Sequence, residues 1–249
     1  MKRGAELSKI VLVTSGKGGV GKSTVSALLG EALAYTKSRT LIIELDSGLR
    51  SLDVALGVSE QILFDMGDII RGSCSTKDAV LECPFCPGLS LITAAAKSVS
   101  VTEDVIKKII AEMGFLYDYI ILDCPAGIGT ELSEAAKCSD IGLVVTTPDP
   151  SAVRGARAAG AVLASCGVKN RRLIIERCPL KAKKLYPLNN LDEIIDGTEI
   201  QLISVIWEDP DIRNAMDSGE PIDDTGLNYE NFRALAERIR GKYIPLGFK

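Results

Sequence analysis

Gly16-Lys17-Gly18-Gly19-Val20-Gly21-Lys22-Ser23-Thr24 follows the apolar run Ile10-Val11-Leu12-Val13 and opens a helix-like stretch that starts at Ser23. A strand, a glycine-rich turn and a helix start, with Lys22 and Ser23 closing the turn, make a phosphate cradle. The glycines let backbone N–H groups crowd around a polyphosphate, because no Cβ blocks the approach. The helix N-terminus adds a partial positive charge. In such a cradle Lys22 neutralises the β- and γ-phosphates, and the Ser23 hydroxyl holds Mg²⁺.

Lys17 changes the kind of machine. The loop already has Lys22, and two ammonium groups on one polyphosphate repel each other. One resolution is that Lys17 points away, toward a nucleotide in another subunit; the alternative is a solvated loop charge. Residues 17–24, Lys-Gly-Gly-Val-Gly-Lys-Ser-Thr, resemble the deviant Walker A loop of the MinD/ParA ATPases. The resemblance implies that Lys17 reaches across a nucleotide-sandwich homodimer. It also implies contacts to ATP from Gly16, Lys17, Gly18, Gly19, Val20, Gly21, Lys22, Ser23 and Thr24.

A chain of 249 residues suits one large α/β domain or two small ones. The net charge of −4 advertises no nucleic acid. No apolar stretch approaches the ~18 residues needed to span a bilayer, and Met1 to Val13 reads as a buried first strand, not a signal peptide. A cytoplasmic location is expected, with the seven cysteines reduced. Histidine is absent, which removes Ser-His-Asp and Cys-His catalysis and every histidine metal site. Phosphoryl transfer needs none of these, because it rests on positioning and electrostatic stabilisation.

Apolar runs at 10–13, 41–45, 89–92, 119–122, 141–146, 173–175 and 200–206 read as strands buried on both faces of a mostly parallel sheet. Helical periodicity falls between them, at 23–35, 102–113, 129–137, 151–165, 189–195 and 229–240. The alternation implies a doubly wound α/β fold, a P-loop NTPase with helices on both faces, as one domain over residues 1–249. Ligands in such sheets bind beyond the carboxyl ends of the strands.

Acidic residues stand at two of those ends. Glu44 and Asp46 close the second run, where a carboxylate can orient water or hold Mg²⁺ through water; a helix cap is the plainer role for Asp46. The stretch through Leu49-Arg50-Ser51-Leu52-Asp53 resembles the family's switch I, more like MinD than ParA, and implies that Asp46 is needed for hydrolysis. Tyr119-Ile120-Ile121-Leu122-Asp123 is a Walker B pattern that aims Asp123 at the Mg²⁺ site, and Asp123-Cys124-Pro125-Ala126-Gly127 matches switch II, where Gly127 offers its N–H to the γ-phosphate. The metal set is thus Ser23, Asp46 and Asp123.

No Asn-Lys-x-Asp guanine reader occurs, so adenine is the default base. By resemblance the base lies near Glu176-Arg177 and Trp207-Glu208-Asp209-Pro210, which implicates Arg177, Trp207 and Asp209. Both stretches depart from the family's Asn-Arg and Pro-x-Asp. Trp207 either stacks on adenine or sits in the core. The segment from Ile212 to Pro221 matches the family's Val-x-x-Ala-x-x-x-Gly-x-Pro. Thr147 to Arg154 matches a MinD pattern, read either as a helix cap by Asp149 or Ser151 or as a dimer contact.

Cys83-Pro84-Phe85-Cys86 supplies two of the four ligands a tetrahedral zinc or iron–sulfur site wants, so a reduced surface turn is the plainer reading. Cys124, Cys138, Cys166 and Cys178 read as small buried hydrophobes. Phe232, Leu235, Ile239 and Tyr243 form a stripe that docks on the chain's own core better than it inserts into a membrane. The expectation is a Mg²⁺-dependent, ATP-dimerised ATPase of the MinD kind, a spatial regulator of division. It would have a protein activator and a peripheral platform on the inner face of the cell membrane. The alternatives are a ParA-like partition ATPase that grips DNA and a cluster-handling protein using Cys83 and Cys86.

Overall fold

The computed structural model describes residues 8–48, 50–179, 191–221 and 226–246. The order of elements is β1 (Lys9–Thr14), α1 (Lys22–Tyr35), β2 (Thr40–Glu44), α2 (Leu52–Ala55), α3 (Met66–Arg71), β3 (Leu81–Glu82), β4 (Leu89–Ile92), α4 (Glu103–Met113), β5 (Tyr119–Asp123), α5 (Thr130–Ala136), β6 (Ile141–Thr146), α6 (Pro150–Ser165), β7 (Asn170–Cys178), α7 (Leu191–Thr198), β8 (Leu202–Trp207), α8 (Pro210–Ser218) and α9 (Leu227–Ile239). The strands form one eight-stranded sheet in the order β3-β4-β2-β5-β1-β6-β7-β8. Among the described residues only the edge strand β3 runs antiparallel to its neighbour.

Alternation along the strands divides the core in two, because successive side chains point to opposite faces. Leu12, Ile43, Ile120 and Leu122 face a layer with Ile106 and Ile109 of α4, Leu132 of α5 and Leu163 of α6. Val11, Val13, Ile42 and Ile121 face Leu29 and Leu33 of α1 and Phe232, Leu235 and Ile239 of α9. Covered on both sides, the central strands carry continuous apolar runs. Their carboxyl ends gather the glycine loop after β1, Asp46 after β2, Cys124 after β5, Thr147 after β6 and Glu208 after β8 along one rim of the sheet.

Several boundaries differ from the sequence expectation. β7 is longer than residues 173–175, and its register against β8 shifts twice. Its flanking arginines and Glu176 break the apolar run that would have marked its length. β8 begins at Leu202 rather than at residue 200. α7 extends to Thr198, past the expected end at 195, while the expected start at Asn189 lies outside the described residues. The two-residue β3 and the short α2 and α3 offer no periodicity to read; α3 is held by a capping box between Asp65 and Asp68.

The C-terminal stripe docks inward. Phe232, Leu235 and Ile239 are buried against α1, but Tyr243 is 90% exposed and does not join them. Tyr243 follows Gly241, whose φ of 90° turns the chain away from the helix. Replacing Phe232 with alanine removes the largest fully buried side chain. The expected cost is about 3–5 kcal/mol of unfolding free energy, read from the midpoint of a urea or guanidinium titration; a loss under about 1 kcal/mol would contradict this packing.

Candidate functional site

The glycine loop ends at Gly21, whose φ of 91° lies in the left-handed region and starts α1 without a side-chain cap. No acidic residue sits in the first turn of α1, so no side chain of that turn competes with an anion for its N–H groups and partial positive charge. Beneath the loop, Gly16 meets Gly155 of α6 backbone to backbone. A Cβ at Gly16 would fall 1.9 Å from the Gly155 carbonyl oxygen.

Asp123, fully buried at the end of β5, organises this corner. Its carboxylate accepts from Lys22 Nζ at 3.3 and 3.4 Å, from Ser23 Oγ at 3.0 Å and from Ser26 Oγ at 2.7 Å. The two residues assigned to phosphate and metal therefore converge on the Walker B carboxylate. Ser26 was not anticipated. It sits one helical turn after Lys22, a polar residue on an inward face, and that placement is the signal that could have revealed it.

Asp46 stands beyond β2, partly exposed and with no hydrogen bond among the described residues; it caps no helix. Burial pushes its carboxyl above the usual carboxylate range, with Lys22 pulling it down and Asp123 pushing it up. Its charge is thus coupled to both groups of the cradle. Glu44, by contrast, is fully buried and structural. It accepts from the backbone N–H groups of Ser51 (2.9 Å), Leu52 (3.2 Å) and Ala94 (3.1 Å), which fastens the switch-like segment to the end of β4. Arg50 adds a bond from Nε to the Ala94 carbonyl at 2.9 Å and an ion pair with Asp65; Leu49 lies outside the described residues.

Lys17 turns away from Lys22. Its ammonium bonds Ser151 Oγ at 2.7 Å and pairs with Asp149 at 3.3 Å. Asp149 also caps α6, accepting from the N–H groups of Ser151 and Ala152, with Pro150 in the first helical turn. Burial pushes its carboxyl up, but the bonds from Ser151, Ala152 and Thr147 outweigh that and hold it well below the usual range. Gly127 has φ 110° and donates its N–H to the Ser15 carbonyl at 2.8 Å. That N–H, expected on a phosphate, is here engaged by the chain itself, because the segment after β5 folds back on the start of the loop.

Glu176, at the end of β7, packs against Gly21 so closely that a Cβ there would lie 2.4 Å from its Cδ. Burial pushes this carboxyl up to about 7, opposed by the Arg177 guanidinium 3.2 Å away. Arg177 has φ 54° and is half-exposed. Trp207 is partly buried, and its N–H and carbonyl are both held by the side chain of Asn228. Asp209 accepts from Asn228 Nδ2 at 3.2 Å and caps α8 through Asp211 N–H at 3.0 Å. Local sequence gave no sign of Asn228, whose partners lie on another element. The structure gathers Glu176 and Arg177 beside the loop, and commits Asp209 to a cap.

All seven cysteines are free. Cys124 and Cys178 are buried, as expected, while Cys138 and Cys166 are only partly so. Cys83 and Cys86 are both buried, which corrects the expectation of a surface turn; the turn is at the surface, but its sulfurs point inward. Among the described residues no group of three or more Cys, Asp or Glu is arranged to hold a metal ion, and no helix is long and apolar enough to cross a membrane.

A family model described as "ParA: NUBPL iron-transfer P-loop NTPase" matches residues 6–240. The chain is 35% identical to the septum site-determining protein MinD of Bacillus subtilis (strain 168), over 96% of this chain and 92% of that protein. The solved MinC:MinD cell division protein complex of Aquifex aeolicus contains a chain that matches with a TM-score of 0.88 and 30% identity, over 97% of this chain and 99% of that one. MinD of Pyrococcus horikoshii OT3, solved with Mg-ADP, matches with a TM-score of 0.81 and 27% identity, over 94% and 96%.

Glu176 and Glu31, a buried carboxyl in α1, are each pushed from 4.5 to about 7. Between those values the folded chain keeps protons that the unfolded chain has released, so both groups lower stability as pH rises through that window. Thermal melts of Glu176→Gln across pH 4–8 should show a shallower fall than the wild type. An unchanged slope would exclude the buried carboxyl as its source.

Proposed function

The chain belongs to the ParA/MinD family of P-loop ATPases, and we propose that it hydrolyses ATP with Mg²⁺, dimerises around the nucleotide and acts as a spatial regulator of cell division. The observation that carries this reading is the buried Asp123 drawing Lys22 and Ser23 together under an open glycine loop. Those groups fit a metal triphosphate: a cation for the phosphates, a hydroxyl and a carboxylate for Mg²⁺, and N–H donors at the start of α1. The relatives' names carry the division reading, and the complex with MinC points to a protein partner for this chain too.

In this reading the loop from Gly16 to Thr24 wraps the phosphates, and Lys22 neutralises the β- and γ-oxygens. Ser23, Asp123 and Asp46 would hold Mg²⁺, and the ion would supply charge that stabilises the transferring phosphoryl group. Asp46, coupled to Lys22 and without a hydrogen bond among the described residues, positions the attacking water. Glu44 keeps the segment after Asp46 in register. Gly127 exchanges its bond to Ser15 for a phosphate oxygen when the site fills. Lys17 leaves Asp149 and Ser151 for the partner subunit's phosphates, so that ATP favours the dimer by differential binding and hydrolysis reopens it. Arg177 and Trp207 flank the adenine, with Asp209 holding the loop that carries Trp207. The whole chain serves as one ATPase domain. It works in the cytoplasm and docks peripherally on the inner membrane face, with an activating protein to stimulate turnover.

Lys17→Ala should retain ATP in equilibrium dialysis yet lose nucleotide-dependent dimerisation by sedimentation velocity. Its turnover should fall by on the order of 10³-fold, the scale of a cation supplied in trans; full activity would refute the cross-subunit role. Asp46→Ala should accumulate as an ATP-bound dimer, and rapid hydrolysis by it would remove Asp46 from the catalytic step. Co-sedimentation with anionic liposomes, with and without ATP, tests the platform. ATP-dependent, salt-sensitive pelleting with DNA instead would shift the reading to a ParA-like partition role.

A further inference from the structure

Ser26 is a hydroxyl in a stretch of α1 that is otherwise apolar. Val25, Ala27, Leu28 and Leu29 around it are all buried, and Ser26 itself is at 0% exposure. Alanine would suit such a helix better, since serine has the lower helix propensity and brings a polar group that must be satisfied. A helical serine can bond a carbonyl one turn back in its own helix. The Ser26 hydroxyl instead reaches across to the sheet and donates to Asp123 Oδ1 at 2.7 Å.

The two oxygens of Asp123 are held by different groups. Oδ1 accepts from Ser26 at 2.7 Å and from Lys22 Nζ at 3.4 Å, while Oδ2 accepts from Ser23 Oγ at 3.0 Å and from Lys22 Nζ at 3.3 Å. The bond from Ser26 is the shortest of these. Ser26 stands four residues after Lys22, on the same face of the helix and one turn beyond the glycine loop. Lys22 and Ser23 turn to phosphate and metal in the function proposed above, on which this inference rests. Ser26 is sealed under the helix and has no second group to serve. Asp123 is equally shut off from water, and a buried carboxylate stripped of its donors is costly. When Lys22 and Ser23 are drawn outward, the Ser26 hydroxyl is the bond that stays on Oδ1.

We propose that Ser26 is a positioning residue for the metal site: it grips Asp123 by Oδ1 so that Oδ2 stays presented on the Ser23 side, where the divalent ion binds. Ser26 touches neither nucleotide nor metal and acts only through Asp123. In the nucleotide-free chain its loss is largely covered, because Lys22 and Ser23 still hold both oxygens. In the loaded chain its loss leaves Oδ1 bare. The carboxylate then turns away from the Ser23 side to find a donor, or keeps Lys22 from the phosphates. Both responses weaken the hold on the metal nucleotide while sparing the empty fold. A serine that only filled space in α1 would have the opposite signature, a loss of stability with binding intact.

The test titrates Mg²⁺ into full-length protein at a fixed concentration of a fluorescent ADP, with the melting temperature of the nucleotide-free chain measured alongside. Ser26→Ala should need roughly 10- to 100-fold more Mg²⁺ for half-maximal binding, the scale on which partners of metal-binding side chains act. Its nucleotide-free melting temperature should stay within about 4 °C of the wild type, the shift of one ordinary hydrogen bond in a chain of this size. Ser26→Thr keeps the hydroxyl and should bring the Mg²⁺ requirement back close to that of the wild type. Ser26→Cys fills nearly the same space with a weaker donor and should fall between alanine and the wild type, so crowding by the threonine methyl does not decide the result. A Ser26→Ala protein with the wild-type Mg²⁺ requirement would overturn the role of Ser26. A Mg²⁺ requirement that merely tracks lost nucleotide-free stability across the three variants would overturn it too. A wild type that binds no ADP with Mg²⁺ would remove the metal site itself, whereas a wild type that binds, beside a Ser26→Ala that binds equally well, would remove Ser26 alone.

Discussion

A carboxylate with no exposure to water survives only if the groups around it replace that water. Asp123 meets this requirement with a lysine and two serines from the first turns of α1. The helix cannot slide along the sheet without leaving the charge unpaired, so its N-terminus is held over the tip of β5. β5 is in turn locked to β1 with Val13 opposite Asp123. The glycine loop joins that strand to that helix, and both of its ends are therefore fixed by one buried charge. The interior of the loop is left open for a polyanion.

The remaining charges are distributed so that they do not compete for that role. Lys22 is held inward by Asp123, and Lys17 is held outward by Asp149 and Ser151, which keeps two ammonium groups from sharing one position. Glu44 and Asp46 are two residues apart yet do different work. The first is at the end of a strand, buried, and saturated with backbone donors. The second is past that end, partly wet and without a hydrogen bond among the described residues. A saturated acid holds a segment in place, while an unsatisfied one remains available to water or a cation.

The parts of this arrangement that were legible in the sequence are those written locally. The glycine loop, the apolar strands ending in acids and the longer amphipathic helices each carry their signal within a dozen residues, and their order implied the doubly wound sheet. What was not legible depends on distance along the chain. Lys17 meets Asp149 across 132 positions, and Asn228 holds Trp207 from another element. Glu176 touches Gly21 only because β7 lies two strands from β1. β3 and α2 are too short to show a period, and the arginines of β7 disguise a nine-residue strand as a three-residue one. The inward turn of Cys83 and Cys86 could not be read from a motif that surface loops and cores share.

The meeting of Gly16 and Gly155 has a mechanical consequence. Two backbones with no side chain between them form a joint with almost no slack, since neither can shift toward the other and neither has a compressible group to absorb a push. The glycine loop and the first turns of α6 thus cannot be pressed closer together, and any bulk added at either glycine has to prise the two segments apart.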